Sequence, residues 1–426
     1  MKQIYIILAA AALAGAVSCS KVEADPSTSP DVKIGYQVAS YATQTKADEG
    51  GFLKEMEAFG IGSSDALFKS VAFINADNGA GGQAEPARFY AAATDEVETI
   101  KYTEDGTTKF WSPAGADYYW PKSPNSDLDF FSWFDLTETA STHVANATYA
   151  SSTYTLAWTD DRTISLKDNV MYADPVWKQK QNTNPGTHKK DGVEEGVPTL
   201  FHHALAQVRF QFKQKTMSKV DSKDGTKSTF WVVKVKNLTI PANTLRKNGT
   251  LSLTAAKSAA SWTTPEHLIW GAAATPAHWE TADIFRADAV NATGIELTDT
   301  ADTFSKDDQM TDEYITVLPQ EIGAGFLLNF DIEIETKFGT TSGGASSAAH
   351  VSTETIHVKD FASGGALVKD NGIQLNLLTA IGSYWQMNKK YTYLFVIDPE
   401  TTKILYDPAV EAWADDTSAT QTIPNA

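Results

Sequence analysis

The chain predicts an all-β fold of two tandem β-sandwich domains, and three observations predict it. Short runs rich in β-branched and aromatic residues recur along its length, bounded by Gly, Pro, Asn or Asp. Several alternate apolar and polar residues with a period of two, while helical periodicity is scarce. The 426 residues are too many for one core, and length alone points to roughly two units of 150 to 200 residues.

At the amino end, Lys2 precedes an apolar stretch from Ile4 to Val17 that leads into Ala16-Val17-Ser18-Cys19. The stretch is shorter than the roughly 20 residues that cross a hydrocarbon core. With a basic residue before it and small residues after it, it reads as a cleaved export signal over residues 1–18. Cys19 is the single cysteine of the chain and is the expected lipidation site, which would tie the mature chain to a membrane surface. Used so, it leaves no thiol for a disulfide, a metal site or a nucleophile. Residues 19–46 are then a lipidated tether followed by a first strand. Ser20 to Pro30 have almost nothing to bury, whereas Val32, Ile34, Tyr36 and Val38 alternate with Lys33, Gly35, Gln37 and Ala39 as in a half-buried strand. The polar stretch from Gln44 to Gly51 should be exposed, and it offers a protease a basic residue at Lys46, ahead of Ala47.

The first domain is expected at residues 47–194. Phe52, Met56 and Phe59 fall at helical spacing and predict one short helix, with strands following at 71–74, 89–90 and 128–133. The long polar connection from Lys178 to Gly196 reads as the domain junction or as a surface loop next to it, and the junction is placed near Glu195 because the strand with Val208, Phe210 and Phe212 looks like the opening of a new sheet. The second domain, 195–426, opens on the strand with Val208, Phe210 and Phe212 and continues through strands at 231–235, 314–318, 326–334 and 391–397. Residues 339–349, made of Gly, Thr, Ser and Ala, predict a flexible tip.

The net charge of −18, from 35 basic against 53 acidic side chains, opposes nucleic acid and anionic lipid faces. The sequence holds no phosphate-binding Gly-rich loop ending in Gly-Lys-Ser/Thr, no His-Glu-x-x-His and no Gly-x-Ser-x-Gly. His202 and His203 are adjacent on a predicted strand and point to opposite faces, which no single metal accommodates. Asp127, Asp129 and Asp135 flank a dense aromatic block, a setting for a sugar-cleaving carboxylate pair. Two carboxylates among 53 acidic residues specify little, so a solvated strand face is the expectation. Trp111, Trp120, Trp133, Trp177, Trp270, Trp385 and Trp413 are scattered instead of clustered, which favours core packing over a sugar-stacking platform. Neither a catalytic residue nor a metal or cofactor site is expected.

Several segments, in order and spacing, resemble the fimbrillins, two-domain subunits of type V pili of Bacteroidales. They are Phe59-Gly60-Ile61, Tyr118-Tyr119-Trp120-Pro121 with residues 128–133, residues 168–173, residues 201–208, Leu318-Pro319-Gln320, Tyr391-Thr392-Tyr393, and residues 404–408 with Val410 and Trp413. The resemblance implies transthyretin-like sandwiches, a lipoprotein of the outer membrane that passes into a fimbrium, and a role in adhesion without catalysis. It also implies assembly by strand exchange: a surface trypsin-like protease removes the amino-terminal segment, and a strand of a neighbouring pilus subunit fills the groove head to tail. In these terms Val32, Ile34, Tyr36 and Val38 match the removable strand, Lys46 and Ala47 the processing site, and Ile404, Tyr406 and Val410 the donor strand. A host glycan or protein receptor is the further partner implied. Asp299-Thr300-Ala301 resembles the short O-glycosylation signal of such bacteria. The competing reading of the same residues is a monomeric cell-surface glycan-binding lipoprotein.

Overall fold

The computed structural model describes residues 33–40, 65–90, 97–105, 108–136, 145–158, 161–180, 189–190, 193–194, 196–259, 261–263, 270–306, 314–323, 326–348, 350–358, 368–369, 372–374 and 383–412. Almost all regular structure among them is strand. The helical pieces are Thr281–Ile284, Ala287–Val290 and a 3-10 turn at Ala345–Ser347. The fold is all-β, as the alternation predicts. Phe52, Met56 and Phe59 lie outside the described residues.

Seven strands close into a ring. Hydrogen bonding runs from Leu67–Asn75 to Asp127–Leu136, then to Asn169–Ala173, Val197–His203, Tyr36–Ser40, Thr108–Pro113 and Glu98–Asp105, and back to Leu67–Asn75. Every pairing is antiparallel except that of Tyr36–Ser40 with Val197–His203, which is parallel. The closure is narrowest between Tyr36–Ser40 and Thr108–Pro113, where the single pair among the described residues is Tyr36 and Trp111. Because successive side chains alternate faces, Phe68, Ala72, Leu128, Phe130, Phe134, Met171, Val197 and Phe201 fill the interior together with Ile34, Tyr36 and Val38. Their neighbours Val71, Phe73, Phe131, Trp133, Val170 and Tyr172 face outward into a second, larger core.

That larger core is completed by the carboxyl-terminal half. Ala206–Gln214 runs parallel to Lys389–Asp398, which carries Lys403–Ala412 as the edge strand of its sheet. Opposite stand Lys227–Thr239 and Leu327–Thr340, paired antiparallel. In Leu327–Thr340 the buried residues Leu328, Phe330, Ile332 and Ile334 alternate with Asn329, Asp331, Glu333 and Glu335. Phe212 and Phe330 meet across the core with ring centroids 5.1 Å apart.

The halves interlock. The hairpin Ala145–Ala150 and Thr153–Trp158 turns through Ser151 and Ser152, both at positive φ, and its second strand pairs with Asn248–Ala256. Val197–His203 lies on the carboxyl side of Glu195 yet belongs to the ring, so the chain passes from ring to second core at Ala204 and Leu205. Indoles fasten the joint: Trp270 Nε1 donates to Ala204 O, Trp262 Nε1 to Ala173 O, each at 2.7 Å, and Trp177 Nε1 to Ala259 O at 2.6 Å.

One local expectation is corrected. The strand predicted at 89–90 falls instead on Ala87–Arg88, because Tyr90 leaves the ladder and turns into the ring interior. Of the stretch expected to form a tip, residues 339–340 end the Leu327–Thr340 strand, Thr340 bridges Gly344 and a 3-10 turn follows at Ala345–Ser347, ahead of the strand His350–His357. Among the described residues no helix is long and apolar enough to cross a membrane.

The cores hold many phenols, and this sets an alkaline limit. Burial raises Tyr36, Tyr90 and Tyr393 well above their ordinary value of 10.0 and pushes Tyr391 up to about 12. Above about pH 10 the unfolded chain releases these protons while the fold retains them, so stability falls as pH rises toward the folded values. Each such group steepens the loss by about 1.4 kcal/mol per pH unit. Urea midpoints should therefore drop sharply between pH 9 and pH 11; a flat profile would contradict the burial of these hydroxyls.

Candidate functional site

The Tyr36–Ser40 strand is the seam of the ring. It lies between Val197–His203 and Thr108–Pro113, and its register sets Tyr36 opposite Val197 on one side and Trp111 on the other. The parallel ladder runs through Gln37 and Pro198, Val38 and Thr199, to Ser40 and Phe201. Upstream, Ile34 N donates to Tyr118 O at 2.8 Å, Lys33 bridges Tyr119, and the Lys33 ammonium pairs with Asp117 in solvent. Ile34, Tyr36 and Val38 are 2%, 5% and 1% exposed, and each such burial contributes about 2 kcal/mol.

At the middle of the seam the Tyr36 ring packs edge-on against Phe68 and Phe130, with centroids 5.5 and 5.8 Å away. Its hydroxyl ends in a small polar cluster inside the apolar ring. It hydrogen-bonds Ser70 Oγ at 3.0 Å and the Tyr90 hydroxyl at 2.9 Å, and Ser132 Oγ donates to Ser70 Oγ at 2.9 Å. Tyr36 and Tyr90 therefore stay protonated far into alkali, held there mainly by burial.

The seam strand also needs a close backbone approach. A Cβ at Gly196 would stand 2.4 Å from Tyr36 N, 2.5 Å from Gly35 C and 2.6 Å from Gly35 O, all main-chain atoms that no rotamer change can move. With only hydrogen there, Val197 N reaches Gly35 O at 2.8 Å and opens the parallel ladder.

Of the expected removable strand, Ile34, Tyr36 and Val38 sit in this seam, whereas Val32 lies outside the described residues, as do Cys19, Lys46 and Ala47. Ile404, Tyr406 and Val410 belong to the edge strand of another sheet, where Ile404 pairs with Ile397, Tyr406 with Phe395 and Val410 with Tyr391. The structure thus separates the two sets: one is enclosed on both sides, the other paired on one. Ile404 and Val410 are partly buried against the larger core, and Leu405, between Ile404 and Tyr406, is exposed.

The carboxylates beside the aromatic block are not the solvated face that was expected. Asp127 and Asp129 are buried, and Asn75 Nδ2 donates to both, at 2.7 and 2.9 Å. The Tyr154 hydroxyl and Lys178 N also donate to Asp129, Gln83 donates to Asp127, and Lys257 Nζ from the second half reaches Asn75 Oδ1 at 2.7 Å. Asp135 accepts from Arg162 and from Trp158 Nε1. Such saturated carboxylates hold the halves together. His203 is buried against Asn169, while His202 stacks on Tyr172 and meets Asp174 at 2.9 Å, so the two rings point apart as expected. Among the described residues no cluster of three or more His, Cys, Asp or Glu could hold a metal ion.

All described tryptophans except Trp177 are buried, and Trp177 is partly covered; Trp413 lies outside the described residues. Sequence reasoning missed Ser70, Tyr90, Ser132 and Gly196. One signal was available: Ser70 is a polar residue in the buried column with Phe68 and Ala72.

No family model matches this chain, and no curated protein does. Solved structures do. A fimbrial protein from Bacteroides vulgatus is similar at 15% identity and a TM-score of 0.47, over 90% of this chain and 99% of that one. A candidate cell adhesion protein from Bacteroides uniformis aligns at 14% identity and 0.33, over 90% and 98%. A fimbrial assembly protein from Parabacteroides distasonis aligns at 7% and 0.30, over 90% and 97%. At these identities and scores the likeness carries no functional conclusion for this chain.

Proposed function

We propose that the chain is a structural fimbrial subunit of the cell surface that assembles head to tail by protease-triggered strand exchange and contributes to adhesion. The observation that carries this reading is the seam strand. It is a short segment, paired on both sides, whose departure would uncover the row of backbone donors and acceptors along Val197–His203 and, among the described residues, the single pairing point at Trp111, beside an apolar slot. An incoming strand would supply both missing terms, and a donor from another copy gives a contact that propagates without closing. Cys19 is the proposed lipid anchor on the outer membrane and Lys46–Ala47 the proposed cut. On this reading no catalysis takes place and no cofactor is needed. The exposed turn that holds Thr300 is open to the proposed glycosylation.

Limited trypsin digestion of the folded, unlipidated chain tests the reading. The expected product begins at Ala47, loses the 33–40 segment and elutes as a ladder of oligomers in size-exclusion chromatography. A stable monomer after the cut, or no cut at that site, would remove the polymerising role. Mass analysis of native material for an acylated Cys19 tests the anchor independently.

A further inference from the structure

Whatever occupies the seam must satisfy more than an apolar slot. Tyr36 is the hydrogen-bond partner of the Tyr90 hydroxyl, and both phenols are buried among Phe68, Phe130 and Trp111. Ser70 Oγ is served by Tyr36, by Ser132 Oγ at 2.9 Å and by its own contact with Phe131 O at 3.4 Å. With the seam strand gone, the Ser70 and Tyr90 hydroxyls would be left facing the slot at one depth and one register position, opposite Val197 and Trp111. A buried hydroxyl deprived of its partner carries its full desolvation cost; a phenylalanine at that position would put the Tyr90 hydroxyl in that state and take from Ser70 Oγ one of its three partners, leaving Ser132 Oγ and Phe131 O.

We infer that Ser70 and Tyr90 act as a hydroxyl clamp that makes the seam selective for a strand bearing tyrosine in register with Val197, the occupant being the Lys403–Ala412 segment of a second copy of this chain. The inference rests on the strand-exchange reading and adds the rule by which the slot chooses. The seam strand reads Ile34-Gly35-Tyr36-Gln37-Val38, and the edge strand reads Ile404-Leu405-Tyr406-Asp407-Pro408, with isoleucine and tyrosine at the same spacing. The intervening position tolerates a side chain, since a Cβ at Gly35 would stand 3.5 Å from Trp111 O, an ordinary contact. Proline in place of Val38 is also tolerated. The Gly35 carbonyl accepts from Val197, so along the parallel ladder the Val38 amide turns away from Val197–His203, toward Thr108–Pro113. On that side the ladder holds the single pair Tyr36 and Trp111 among the described residues, so the amide that proline lacks lies beyond the ladder.

The test uses the full-length chain, nicked with trypsin and not fractionated, and two fluorescent peptides: residues 403–412 and the same peptide with Tyr406→Phe. Capture of the tyrosine peptide about ten- to hundredfold more tightly than the phenylalanine one is expected. In the Tyr90→Phe and Ser70→Ala chains that ratio should shrink toward one. Equal capture of both peptides by the unmodified chain overturns the clamp and leaves strand exchange standing. Capture of neither overturns strand exchange at this seam, and the selection with it. A ratio that persists in both clamp variants also overturns the assignment to Ser70 and Tyr90.

Discussion

Replacing Arg162 by alanine is expected to lower folding stability by about 3–5 kcal/mol, as for a buried charge pair broken from one side. Arg162 is fully buried and forms ion pairs with Asp135 and with Asp168, the latter at 3.1 Å. Asp135 belongs to the ring strand Asp127–Leu136, while Arg162 pairs with Gly249 of the second half, so the charge group spans the joint. Ser165 N and Oγ hold Asp168 at 3.0 and 2.7 Å, and Trp158 Nε1 holds Asp135 at 2.7 Å, so neither carboxylate can swing to water when the guanidinium is gone. Urea unfolding followed by tryptophan fluorescence reads the loss. Arg162→Lys keeps the charge without the fork and should fall between wild type and alanine. Adding Asp135→Asn and Asp168→Asn to the alanine variant should recover part of the deficit, because the stranded charges are then removed. A loss under about 1 kcal/mol for Arg162→Ala would mean that water reaches this site.

Gly196→Ala is the second large effect, and it acts on the proposed function as well as on stability. A methyl at Gly196 collides with three backbone atoms of Gly35 and Tyr36, so either the parallel ladder opens or the seam strand shifts outward. Overpacking against side chains costs about 1–3 kcal/mol, and a collision with main chain lies at or above the top of that range. Amide hydrogen exchange reads the result locally. Protection at Tyr36–Ser40 should collapse while the Lys227–Thr239 and Leu327–Thr340 pair, which belongs to the other core, keeps its protection. If the variant is also cut and assembles without its seam strand in place, the slot and the strand are separable, as strand exchange requires. Unchanged protection at Tyr36–Ser40 would show that the close approach of Gly196 is not needed.

Much of this was legible in the chain because it is local. The alternation of Ile34, Tyr36 and Val38 marked one buried face, and the same pattern found the strands around Val71, Leu128, Val208, Trp231, Phe330 and Tyr393. The adjacency of His202 and His203 was enough to separate their rings. Asp127 and Asp129 were misread because alternation gives a face but not what covers it. The face they occupy is closed by Asn75, Tyr154 and Lys257, none of them near in sequence. Phe89 and Tyr90 look like strand by composition, yet Tyr90 serves the Tyr36 hydroxyl instead of a ladder.

By itself the sequence determined an acidic, strand-rich chain with one cysteine, the inward and outward residues of each strand, and an amino-terminal strand that a polar stretch follows. Only the tertiary structure decided that this strand is the seam of a closed ring, that it runs parallel to Val197–His203, and that its tyrosine ends on Ser70 and Tyr90. The reason is physical. Side-chain periodicity is set within a few residues, whereas the backbone donors and acceptors that choose a strand's neighbours are alike at every position, so the choice rests on which distant faces pack together.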